Sequence, residues 1–112
     1  HPKNFAYLMS ADGNWTLAPA YDVTWCEGPG GYHQMDVLGE ALDIERKHLQ
    51  SLGVQEAELS ADHVNGIIEK VCHFATALSA IARDKYPDQI TLSTLKTIQK
   101  QINDNVRRLM SR

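Results

Sequence analysis

Two short strings near the start of the chain hold the side chains best suited to chemistry. The first is His1-Pro2-Lys3-Asn4-Phe5, and the second is Leu17-Ala18-Pro19-Ala20-Tyr21-Asp22. The Asn4 amide and the Asp22 carboxylate offer hard oxygens. Mg²⁺ takes such donors, commonly one or two from protein, with phosphates and water completing an octahedron. Lys3 adds a positive charge beside them. Each residue also has an ordinary reading. An Asn is more often a turn or cap residue, an Asp a helix cap or solvated carboxylate, and a Lys a surface charge. Single short motifs are weak evidence, so the weight falls on the order and spacing of the two strings.

For Asn4 and Asp22 to cooperate, the chain between them must reverse. Phe5 to Met9 reads as a short strand and Trp15 to Leu17 as its return. Asp12-Gly13 between them is a strong turn signal, because Gly tolerates positive φ and Asp can bond its own backbone. A hairpin would bring both residues to one edge of a small sheet. Pro19 cannot donate to a ladder and should end the second strand. Gly28, Pro29, Gly30 and Gly31 read as a flexible loop. His33 to Leu38 reads as a further extended stretch ending at Gly39.

Beyond Gly39 the texture becomes helical. Asp43 reads as a cap and Gly53 as a stop, which predicts a short helix over about residues 44–52. Ser60 caps a longer helix. Its apolar positions Val64, Ile67, Ile68, Val71, Phe74, Ala75, Leu78 and Ile81 follow three-and-four spacing. Pro87 forces a break near Tyr86. A last helix begins at Thr91 or Ser93, with Leu95, Ile98, Ile102, Val106 and Leu109 as its stripe. Long amphipathic helices joined by a short turn should pack antiparallel. The expected architecture is therefore mainly α, with a short amino-terminal β-hairpin followed by two long antiparallel helices. The division expected is residues 1–39 for the loop, hairpin and metal-binding segment, and residues 40–112 for the helical subdomain.

Taken together and in this order, the two strings resemble the HipA family of bacterial toxin kinases. That family has a catalytic loop of the form D-x-H-x-K-N, then a hairpin, then P-x-Y-D. His1, Lys3 and Asn4 match the first motif, and Pro19, Tyr21 and Asp22 match the second. Tyr32 to Gly39 is similar to the family's H-x-M-x-V-x-G stretch. The resemblance implies the carboxyl-terminal lobe of a kinase-like fold. It assigns Asn4 and Asp22 to metal and places Lys3 near the transferred phosphate or as a charge that steadies the loop. His1 takes a structural place in the loop. It implies ATP and Mg²⁺ as cofactors of the parent protein and transfer of phosphate to a protein serine or threonine. Implied partners are a protein substrate, such as an aminoacyl-tRNA synthetase, and a DNA-binding antitoxin. The physics is consistent, since phosphoryl transfer rests on neutralising charge, largely through Mg²⁺ held by an Asn and an Asp. The family's proton-accepting Asp would stand two residues before His1. Beginning at His1 rather than Met, the sequence reads as a piece of a longer protein. The 112 residues alone are expected to be inactive.

Composition narrows the classes. The chain is 43% hydrophobic and 22% charged, as globular chains are, and its net charge of −3 argues against coating nucleic acid. No apolar run approaches the roughly 20 residues that span a bilayer. Cys26 and Cys72 form no CxxC, which fits a cytoplasmic protein with reduced thiols. The histidines show no ligand spacing, and a zinc site from His1, Cys26 and His33 is poorly supported. Cys72 falls on an apolar stripe as core filler. Trp15 and Trp25 read as packing residues around the hairpin. Lys96, Lys100, Arg107, Arg108 and Arg112 make the last helix basic, which suits its dipole or a solvated face. The competing functional class is a helical interaction module without chemistry.

Overall fold

A computed structural model describes residues 2–111. The chain opens on a 3₁₀ turn, Pro2–Asn4, followed by strands β1 (Tyr7–Met9) and β2 (Trp15–Leu17). These form a two-stranded antiparallel sheet with Tyr7 opposite Leu17, Leu8 opposite Thr16 and Met9 opposite Trp15. The turn is built as Asp12-Gly13 requires. The Ser10 N–H donates to the Asn14 carbonyl at 2.9 Å, and Gly13 takes φ +84°. A three-residue connection ending on a left-handed residue is a common hairpin closure. The Asp12 carboxylate accepts from the Ser10 hydroxyl and the Asn14 amide. The Ser10 bond is the main reason that its pKa falls below the usual carboxylate value.

The glycine-rich segment is a defined turn rather than a flexible loop. Pro29–Gly31 is a 3₁₀ turn in which Gly30 and Gly31 take φ +64° and +82°. A Cβ on Gly28 would stand 1.8 Å from the Tyr32 carbonyl oxygen, so only Gly lets the chain approach itself there. The stretch His33 to Leu38 is not an extended run. It folds back at Leu38-Gly39, both at positive φ, with a single bridge between Val37 and Glu40. The His33 N–H donates to the Ala41 carbonyl at 2.7 Å and ties this segment to the approach of the first helix.

Four α-helices follow: α1 (Arg46–Ser51), α2 (Ala61–Thr76), α3 (Leu78–Lys85) and α4 (Leu92–Met110). Asp43 does not cap α1. The Glu45 N–H donates to His48 Nδ1 at 3.0 Å at the helix start. Just upstream, one oxygen of Glu40 accepts from the Leu42 and Asp43 N–H groups at 2.7 and 2.8 Å. Asp43 instead faces Arg108 of α4 at 3.4 Å. Nor does Gly53 stop the helix. A π-helical turn, Leu52–Glu56, continues it, closed by the Ala57 N–H donating to the Leu52 carbonyl. Gly53 is needed for a different reason, because a Cβ there would lie 2.5 Å from Cγ2 of the buried Val64. Ser60 and Thr91 cap α2 and α4 through their hydroxyls, as their sequence positions predict.

The predicted long helix is two helices. It breaks at Ala77, where the N–H bonds the Phe74 carbonyl three residues back. The Thr76 hydroxyl donates to the Cys72 carbonyl at 2.8 Å, a back-bond that bends helices. Gln99 of α4 bridges the break. Its amide nitrogen donates to the Ala75 carbonyl, and its amide oxygen accepts from the Ser79 N–H. Arg46 of α1 bonds Asn65 near the start of α2 and the Met110 sulfur at the end of α4. The end of α4 thus lies at the start of α2, while Gln99 lies at its end, so the two long helices are antiparallel as expected. Val64, Ile68 and Cys72 form the buried cluster, packed by Leu49, Leu59, Val106 and Leu109. Among the described residues, no helix is long and apolar enough to cross a membrane.

Candidate functional site

The hairpin brings the two candidate strings together. The Asn4 amide nitrogen donates to Asp22 Oδ2 at 3.0 Å. A second tie runs between the same strings, where the Tyr21 hydroxyl donates to the Lys3 carbonyl at 2.8 Å. The sequence singles out Tyr21 only as a motif position, and the bond gives that position a physical task. Lys3 enters the arrangement through its carbonyl, and its side chain is exposed and lines neither of the clefts beside Asp22. His1 lies outside the described residues.

Asp22 holds an unusual backbone, with φ +52°. Asp and Asn accept the left-handed region more readily than other side chains do, while β-branched residues pay heavily for it. Such backbone concentrates at functional positions. The conformation turns the chain sharply after Tyr21, so that Tyr21 reaches Lys3 and Asp22 reaches Asn4.

Two clefts flank the pair. One, of about 270 Å³, is lined by Asn4, Asp22, Thr24, Cys26, Gly28, Tyr32, His33 and Gln34. The Gly28–Gly31 turn is what delivers Tyr32 and His33 to this cleft. The other, of about 360 Å³, is more apolar and is lined by Phe5, Leu17, Pro19, Tyr21, Val23 and Met35 as well as the pair itself. A larger cleft of about 730 Å³ lies between α1, α2 and the end of α4. Its cations are matched to anions: Arg46 to Glu69, Lys47 to Glu45 and Arg108 to Asp43. With Arg46, Lys47 and Arg108 each paired to a carboxylate, this wall has little to offer a phosphate, so we place the candidate site at Asn4 and Asp22.

The donor set fits a hard cation. A carboxylate and an amide side chain, adjacent and open to a polar cleft, are the residues here that could hold Mg²⁺, with phosphate oxygens and water filling its other positions. Among the described residues no three or more His, Cys, Asp or Glu side chains gather as a metal-binding group. Cys26 and His33 share a cleft, but that arrangement does not make a zinc site. Trp25, read from sequence as hairpin packing, donates its indole N–H to Gln101 of α4 at 2.8 Å. It anchors the segment after Asp22 to the helical part. Trp15, opposite Met9 on the hairpin, stands 66% exposed.

The fold and site define a mainly helical domain whose amino-terminal hairpin carries an amide–carboxylate pair. Residues 1–79 match the family model of the HipA-like C-terminal domain, and the chain belongs to that family. No curated protein and no solved structure matches it.

Proposed function

We propose that this domain supplies the metal-holding side of the active site in a HipA-like protein kinase, which transfers phosphate from ATP to a protein hydroxyl. The observation that carries the reading is the contact between Asn4 and Asp22, made by two family motifs that a hairpin folds onto each other. Mg²⁺ bound there would neutralise charge on the transferring phosphoryl group. Asn4 and Asp22 are its protein ligands. Tyr21 positions Asp22 by fixing the loop to the Lys3 backbone, and Lys3 adds positive charge near the phosphate. Residues 1–39 bear the site and residues 40–112 support it. The base that accepts the hydroxyl proton and the lobe that grips ATP belong to the preceding part of the longer protein. The setting is a cytoplasmic toxin–antitoxin pair, with a DNA-binding antitoxin and a substrate such as an aminoacyl-tRNA synthetase as partners.

The test is transfer of labelled γ-phosphate by the longer protein with Mg²⁺. Asp22→Asn keeps the left-handed backbone but removes the anionic ligand. It should lower the rate by ~100-fold or more, the scale of several kcal/mol of lost charge stabilisation. The 112-residue chain alone should transfer none. Unchanged transfer by Asp22→Asn, or transfer by the isolated chain, would sink the proposal. A protein that transfers no phosphate under any condition would leave the interaction module as the better reading.

A further inference from the structure

Two side chains on one face of α4 reach back to the segment that follows Asp22. Gln101 Oε1 accepts from the Trp25 indole N–H at 2.8 Å, across 76 positions of sequence. Arg108 donates to the Leu42 carbonyl at 3.1 Å and faces Asp43. Gln101 and Arg108 are seven residues apart, about two turns, so both stand on the same side of the helix. Gln99 serves the α2–α3 break instead. The helix therefore braces the preceding chain at Trp25 and at Leu42, although none of the motif residues lies on it.

The brace at Trp25 bears on the site. Asp22 keeps a left-handed backbone, φ +52°. A residue other than glycine holds that conformation only where its surroundings over-determine it. On the amino side Tyr21 is bonded to the Lys3 carbonyl. On the carboxyl side Val23 is 82% exposed and Thr24 is exposed too, so packing contributes little there. Trp25 comes next. Three residues of chain span at most roughly 10 Å, so a displaced indole draws Asp22 with little slack. Mg²⁺ demands oxygens at about 2.1 Å in a near-ideal octahedron, so a small displacement of Asp22 weakens the pair as a ligand set.

We propose that Gln101 and Trp25 are positioning residues for the Asn4–Asp22 pair, and that α4 through their bond sets how tightly the pair holds a divalent cation. This rests on the function proposed above. Neither residue lines the clefts beside Asp22, so neither is a ligand. The indole N–H is a donor only, and the Gln101 amide oxygen meets it from a long helix. Partners one step removed from a metal tune its affinity by orienting the ligands.

The test measures cation binding directly. Mn²⁺, which takes the same kinds of oxygen ligand as Mg²⁺, is titrated into the longer protein without nucleotide and followed by electron paramagnetic resonance. Gln101→Leu and Trp25→Phe should each weaken binding by on the order of 10-fold. The double variant should lose no more than either single one, since both changes break the same bond. Gln101→Glu keeps an acceptor and should restore affinity. Gln99→Ala, which loosens the α2–α3 break from another side of α4, should leave affinity unchanged. Unaltered binding by Gln101→Leu overturns the proposal. So does equal weakening by Gln99→Ala, which would make the effect one of general stability, and so does an unsubstituted protein that binds no Mn²⁺. Phosphate transfer is assayed in parallel. Weakened Mn²⁺ binding by Gln101→Leu, in a protein that transfers no phosphate, keeps this inference and removes the kinase reading. Phosphate transfer with Mn²⁺ binding indifferent to Gln101 does the reverse.

Discussion

Glu40 shows how one carboxylate can organise the entry to a helix. Its side chain takes the N–H groups of Leu42 and Asp43, and these two bonds, Asp43 first, hold its pKa below the ordinary value of 4.5. A lowered folded-state pKa means that folding favours the ionised form. The contribution is complete above the ordinary value and is lost as pH falls through the lower folded value. Glu40→Gln should therefore destabilise the protein at neutral pH and differ less from the parent as acid protonates Glu40. Urea midpoints measured from pH 7 downward check this, and a constant difference at every pH would contradict it. At this scale the sequence is partly legible. Asn4 and Asp22 can be paired in advance because Asp12-Gly13 announces the reversal between them. The bonds from Tyr21 to Lys3 and from Trp25 to Gln101 cannot, since nothing local marks either partner.

At the scale of elements, the hairpin and the Ser60 and Thr91 caps follow from local residue chemistry and are readable in the sequence. Two of the misread boundaries have tertiary causes. Gly53 resembles a helix stop, yet its task is to let the π-helical turn approach Val64. Gly53→Ala would push a methyl to within 2.5 Å of a buried side chain. Overpacking of this kind costs ~1–3 kcal/mol, readable as a lower urea midpoint. Shortening the neighbour as well, in Gly53→Ala/Val64→Ala, should cost less than the two single changes added together. The break at Ala77 lacks Pro and Gly, so periodicity runs straight through it. Gln99 completes it from another helix by meeting the backbone groups of Ala75 and Ser79. Gln99→Ala leaves both partly buried groups without that partner, at a cost of ~1–3 kcal/mol. A change in thermal midpoint too small to detect would mean that water replaces the amide without loss.

Across the whole molecule, burial is lopsided. Among the described residues the buried apolar ones are Val64, Ile68, Cys72, Ala82 and Leu95, all in the helical part. Residues 5–38 contribute none, although they hold most of the aromatics. The sequence signals those aromatics as packing residues, yet Phe5, Tyr7, Trp15 and Tyr32 are all more than half exposed. The two thiols sample the two halves. Cys26 is exposed, while Cys72 is buried and burial raises its pKa. A thiolate-directed reagent should modify one site per chain in the folded protein, at Cys26. Cys72 should react only after denaturant opens the helical core, with a midpoint matching loss of helix by circular dichroism. Equal labelling of both without denaturant would show that the core opens freely.

The placement of the two indoles has an optical consequence. Trp25 is bonded to α4 just past Asp22, and Trp15 stands in solvent on the hairpin that leads to it. The two rings therefore flank Asp22 along the chain. One ring reports on the seating of the loop, and the other on the hairpin. Replacing either with Phe leaves a protein whose remaining emission reads a single one of those events. Assembly of the site can then be followed by colour and lifetime, without substrate and without an added dye.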